Sequence, residues 1–142
     1  MTPPQAHTGP THTGPTPAGR RWQWRSPGVV SSVPSTRRKL RHLLDGTGLS
    51  SDEIEDLVLA ASEAAINAVE HSPPSQPFFD VCVEFAGGVV TILVRDHGRW
   101  RPPVPDSYRG RGLAMMCALA DTTVTPGEHG TTVAIRSRRS GS

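Results

Sequence analysis

A chain of 142 residues holds one domain of ordinary size, large enough for a real core and too short for two. Lys and Arg number 15 against 13 Asp and Glu, a formal charge of +2 with both signs interspersed through the body. That balance argues against general nucleic-acid affinity, and the short apolar runs exclude a membrane-spanning helix.

Hydrophobic residues make up only 35% of the chain. The deficit is local: the first thirty or so residues carry almost nothing to bury, which leaves about 110 residues for the core domain. Residues 1–20 are rich in Pro, Thr, Gly and His and contain the direct repeat His7 to Thr11 and His12 to Thr16. They read as a disordered tail, without the apolar centre or cleavage pattern of a signal peptide. Cys82 and Cys117 lie in apolar patterns without metal-ligand spacing and read as core thiols of a reducing compartment. A cytoplasmic protein is therefore expected, with its domain over 21–138 and a flexible end at 139–142.

The segment Arg21 to Val30 alternates large and polar residues and predicts a first or edge strand interrupted at Pro27. Pro34 suits the start of a helix whose Leu40, Leu43 and Leu44 form a narrow stripe, stopped near Gly46 and Gly48. Its other face carries Arg37, Arg38, Lys39 and Arg41, either a solvated face or one that meets an acidic protein surface.

Ser50 to Ser72 is the strongest element. At 100° per residue Ile54, Leu57, Val58, Ala61, Ala65, Ala68 and Val69 share one arc, and Asp56, Glu63, Asn67 and Glu70 the opposite one. Ser50 with Glu53 reads as a capping box, acidic residues suit the positive end of the dipole, and Pro73-Pro74 closes the segment. Glu63, Asn67 and His71 step along the polar face four residues apart, so a carboxylate and a carboxamide there can reach one bound group.

Phe78 to Phe85 alternates as a strand, Gly87-Gly88 turns the chain, and the nearly continuous β-branched run Val89 to Val94 predicts a strand covered on both faces or lying centrally in its sheet. Asp96 and Gly98 follow as Asp-x-Gly, by itself a turn signal. Arg99 to Arg109, with three prolines and no periodicity, reads as a crossing loop. Gly110-Arg111-Gly112-Leu113 then opens a helix, where unpaired backbone N–H groups suit phosphate oxygens, although no Walker lysine follows. Asp121 to Thr125 and Gly130 to Arg136 predict a closing hairpin around Pro126-Gly127.

In order and spacing these blocks, Ser62 to His71, Val94 to Trp100, Gly110 to Met116 and Gly130 to Val133, resemble the GHKL ATP-binding superfamily over roughly residues 22–138. The likeness is to its small bacterial branch of anti-sigma-factor serine kinases and related actinobacterial regulatory ATPase domains. The resemblance implies a Bergerat-type α/β (α+β) two-layer sandwich, with an antiparallel or mixed sheet and helices on one face. It implies ATP and Mg2+ as cofactors, with Asn67 as magnesium ligand and His71 in the ATP site. Asp96 would accept from the adenine amino group, beside Gly98 and Thr131, and Gly110, Arg111, Gly112 and Leu113 would line the phosphates. Glu63 takes the place of the family's general base. Without a helical phospho-acceptor domain, and with His71 on the nucleotide helix, the chain does not read as a complete sensor histidine kinase.

The resemblance further implies a partner-switching regulator that phosphorylates a serine of an anti-anti-sigma (STAS-type) protein and sequesters a sigma factor, with a homodimer plausible through the first strand and helix. The competing expectation is a non-catalytic module in which ATP only shapes a protein-binding surface. A basic DNA-binding protein rests on scattered arginines alone, and no direct nucleic-acid or membrane contact is expected.

Overall fold

The computed structural model describes residues 11–12, 19–98 and 108–138, with side chains over 19–98 and 114–138. The elements are β1 (Thr11–His12), β2 (Gly19–Pro27), α1 (Ser32–Leu44), α2 (Ser51–Glu70), β3 (Phe78–Ala86), β4 (Val89–Arg95), α3 (Tyr108–Leu119), β5 (Asp121–Gly127) and β6 (Gly130–Arg136). The strands form one sheet in the order β1-β2-β3-β4-β6-β5, antiparallel at every pair. Of the two sheet types expected, it is the antiparallel one.

Strand alternation sorts the side chains into two layers. Trp24, Val81, Val83, Val90, Ile92, Val94, Val133 and Ile135 are buried under the helices. On the opposite face Arg21, Gln23, Asp80, Leu93, Arg95 and Thr132 help to line an open groove of about 620 Å3. Helix α2 packs over β3, β4 and β6, with α1 and α3 on its flanks. Its buried arc is consequently wider than the stripe expected: Ala60, Ser62 and Ala64 are also buried, small residues that let the flanking helices approach. The Ser62 hydroxyl is satisfied by donating to the Val58 carbonyl at 2.8 Å.

The capping box is formed in both directions. Glu53 N–H donates to Ser50 Oγ and Ser50 N–H to Glu53 Oε1, each at 3.1 Å. On α1, Leu40 and Leu44 are fully buried, while two of the four basic side chains are used inside the fold. Arg41 makes a two-bond pair with Glu55 of α2 at 3.0 and 2.9 Å, and the Lys39 ammonium lies 5.6 Å from the Trp24 ring centroid.

Several sequence expectations shift. β2 starts at Gly19, ahead of the boundary expected at 21, and ends at Pro27. The chain leaves the sheet after that proline, so Val29 and Val30 are exposed in the turn before α1 rather than paired. Thr11–His12, placed in the tail by composition, pair with Gln23 and Trp22 and cover part of the bare edge of β2. The closing hairpin turns at Glu128-His129, because Gly127 still pairs with Gly130, and Pro126 is tolerated on the edge strand β5. Cys82 is buried, but Cys117 is exposed: Met116 and Ala120 take the inward positions of α3, and residue 117 points about 100° away from Met116. The rest of the tail and the crossing loop up to residue 107 lie outside the described residues. Among the described residues no helix is long and apolar enough to cross a membrane.

Ser50→Ala removes one arm of the capping box and leaves the core intact. A loss of about 1 kcal/mol is expected, read as a lower urea midpoint at unchanged slope.

Candidate functional site

Beyond Arg95 the chain leaves the β3–β4 ladder, and the next residue turns toward the helices. Asp96 is 5% exposed there. Its Oδ1 accepts from Gly98 N–H at 3.0 Å and Thr131 N–H at 3.2 Å, and its own N–H donates to the Thr131 carbonyl at 3.0 Å. One carboxylate oxygen is thus committed to the backbone. The other faces His71 Nδ1 at 3.6 Å, beyond hydrogen-bond length. His71 caps the C-terminus of α2, its N–H donating to the Asn67 carbonyl at 3.0 Å.

Two buried polar atoms of these residues, His71 Nε2 and Thr131 Oγ1, have no partner among the described residues. Buried groups left unpaired cost free energy, and their concentration beside a buried carboxylate marks a place where a polar ligand edge would be favourable. Two glycines make the arrangement possible. A Cβ on Gly98 would stand 2.1 Å from the His71 carbonyl oxygen, and one on Gly130, at φ +154°, would stand 2.2 Å from that of Asp96. The close approach that Gly98 permits in this structure is therefore to the end of α2.

Glu63 and Asn67 lie one turn apart on α2, half-buried, with His71 one turn further on. Among the described residues neither Glu63 nor Asn67 has a side-chain hydrogen bond or ion pair, so a carboxylate and an amide oxygen remain available on one face. Leu59 and Ile66, on the same stripe, are 43% and 37% exposed. Helix α3 begins at Tyr108, two residues before Gly110, so the glycine block does not open it. Gly110 falls in the first turn, where N–H groups lack intrahelical acceptors, and Gly112 and Leu113 follow in the next. The Arg111 and Leu113 side chains lie outside the described residues. The structure thus joins His71, Asp96, Gly98 and Thr131 in one cluster, sets Glu63 and Asn67 upstream on the same helix, and packs α3 against that helix.

Sequence reading passed over a second cluster behind this one. Arg25 Nε donates to Asp80 Oδ1 at 2.8 Å, and His97 Nε2 lies 2.9 Å from Asp80 Oδ2. The only signal was a carboxylate at an outward position of β3, since its partners come from distant strands. Burial pushes the Asp80 carboxyl up, but hydrogen bonds from Arg25 and His97 outweigh it and hold the group below its ordinary value.

A family model described as the histidine kinase-like ATPase domain matches residues 27–137. The serine-protein kinase RsbW of Bacillus licheniformis is 36% identical over 80 residues, 54% of this chain and 49% of that protein. The crystal structure of the RsbU and RsbW domains of Rv1364c from Mycobacterium tuberculosis aligns with a TM-score of 0.67 at 30% identity, covering 88% of this chain and 33% of that one. The chain spans about half the length of the curated relative that it matches.

Gly98→Ala should cost about 1–3 kcal/mol in thermal or urea unfolding, because the added methyl meets backbone rather than a mobile side chain. The lowered Asp80 carboxyl stabilises the fold at neutral pH, and that contribution is lost as pH falls below the unfolded value of about 3.9. Denaturation of wild type and Asp80→Asn at pH 6 and at about pH 3 should therefore show a stability gap that narrows in acid.

Proposed function

Because the chain belongs to the histidine kinase-like ATPase domain family, we propose that it binds ATP and transfers the γ-phosphoryl group to a serine of an anti-anti-sigma (STAS-type) protein, holding a sigma factor once that antagonist is phosphorylated. The observation that carries this reading is the buried Asp96 carboxylate, one oxygen fixed by two backbone N–H groups, with unpaired polar atoms on both neighbouring residues. Adenine offers an amino donor next to ring-nitrogen acceptors. Asp96 Oδ2 would accept from the amino group, and the Thr131 hydroxyl would donate to the ring. The unpaired His71 nitrogen lies on the α2 side of the same cluster.

Toward the phosphates the chain offers different chemistry. Gly110 and Arg111, in the first turn of α3, would offer backbone N–H groups and the positive helix end to them, and Gly112 and Leu113 would line the same side. Magnesium, when bound, supplies neutralisation of phosphate charge, and the available amide oxygen of Asn67 suits a hard cation without adding negative charge. Glu63, a turn away, would take the proton of the serine hydroxyl as its oxygen attacks the γ-phosphorus and the bond to the ADP oxygen breaks. Proton removal of this kind is worth about 10² to 10⁴ in rate. The exposed Leu59 and Ile66 beside Glu63 support a protein, rather than a small molecule, as phosphoryl acceptor. The Bacillus licheniformis relative is a serine-protein kinase, and that activity is carried to this chain as part of the proposal. A cytoplasmic location follows from the same role.

Calorimetry with ATP and magnesium should show binding that Asn67→Ala and Asp96→Ala abolish. With radiolabelled ATP and an anti-anti-sigma protein, label should reach the partner, and Glu63→Ala should slow its appearance by about 10² to 10⁴ while still binding nucleotide. ATP binding without labelling would leave the non-catalytic clamp. A wild type that binds no nucleotide at millimolar concentration overturns the proposal.

A further inference from the structure

The residues from Asp96 to Gly98 sit beyond the last β3–β4 pair, Asp80 with Arg95, so no backbone ladder to β3 holds them. Side chains take over that task on both faces of the sheet. On the helix side Asp96 is tied to β6 through Thr131. On the groove side alternation turns His97 the other way, onto Asp80, with Nε2 at 2.9 Å from Oδ2. Asp80 is in turn held by Arg25 of β2 through Nε at 2.8 Å and a second guanidinium nitrogen at 3.3 Å. The Arg25 guanidinium lies 3.8 Å from the Phe78 ring centroid, and Phe78 meets the His97 ring edge-on, with centroids 4.7 Å apart. Four side chains from β2, β3 and the segment after β4 thereby close a ring. Arg95, opposite Asp80 in the ladder, is the other charge facing it from β4.

We propose that Asp80 and His97 are positioning residues for nucleotide binding: braced by Arg25 and Phe78, they fix the segment after β4 so that Asp96 is presented to the base. An isolated surface ion pair contributes little, but His97 is only 14% exposed and packs against an aromatic ring, so this pair is held in one geometry. The two neighbours of His97 are the carboxylate and the glycine of the candidate base site. Releasing the imidazole frees both, and the Gly98 and Thr131 bonds to Asp96 Oδ1 open more often. The functional consequence rests on the ATP reading above, whereas the positioning itself belongs to the protein alone.

The test is amide hydrogen exchange by NMR on the whole chain, comparing wild type with Asp80→Ala, His97→Ala and His97→Gln, whose amide nitrogen can stand where Nε2 does. Exchange at Gly98 and Thr131 should accelerate on the order of tenfold or more in both alanine variants, with Val90 and Ile92 unchanged and His97→Gln near wild type. ATP affinity should fall about tenfold in the alanine variants and recover in His97→Gln. Unchanged exchange at Gly98 and Thr131, or an equal rise at the core amides, overturns the proposal. A wild type that fails to bind ATP while the exchange contrast appears sinks the nucleotide reading and keeps the positioning; ATP binding without the contrast does the reverse.

Discussion

One oxygen atom, Asp96 Oδ1, joins two segments 35 residues apart in sequence, accepting from Gly98 N–H and Thr131 N–H. Both donors would otherwise be buried backbone groups without acceptors, a cost that native folds avoid. The carboxylate thus has a structural task on one oxygen and, in the proposed function, a recognition task on the other. Gly98 and Gly130 are the conditions for it, since a side chain at either would push away the carbonyl of His71 or of Asp96 itself. The candidate site follows from how β4 ends and β6 begins.

Helix α2 supplies the rest. Its capped N-terminus and its small residues Ala60, Ala61, Ala64, Ala65 and Ala68 allow it to lie between two flanking helices and over three strands. A helix buried on so wide an arc has little freedom to rotate. Glu63, Asn67 and His71 are therefore set by apolar packing on the other side of the same helix. In the proposed function this makes the polar face a rigid ruler, along which a nucleotide and an acceptor would be spaced.

Much of this was legible in the sequence, and the exceptions share a physical cause. The capping box, the α2 stripe, the Gly87-Gly88 turn with φ of +59° and +76°, and the alternation of β3 are local patterns, and local patterns can be read from a single chain. The order of the four motif blocks gave the family, which the match over 27–137 shows. What escaped was set by partners. Ala60 and Ala64 are buried because α1 and α3 flank them, Cys117 is exposed because Met116 holds the inward position, and Arg41 is engaged by Glu55 across a helix interface. Asp80 and His97 read as ordinary polar residues until β3 and β4 are laid side by side. The two-residue pairing of Thr11–His12 carries no signal that composition could have offered.

The two-residue phase of β4 continues past its last ladder pair: Val94 faces the helices, Arg95 the groove, Asp96 the helices again and His97 the groove. The length of this stretch is thus constrained along with the chemistry of Asp96 and His97. Losing or gaining one residue between Val89 and Asp96 would exchange the surroundings of the last two, setting a second carboxylate beside Asp80 and an imidazole among the apolar residues beneath α2. An insertion or deletion here keeps each side chain on its own face only when it comes in twos.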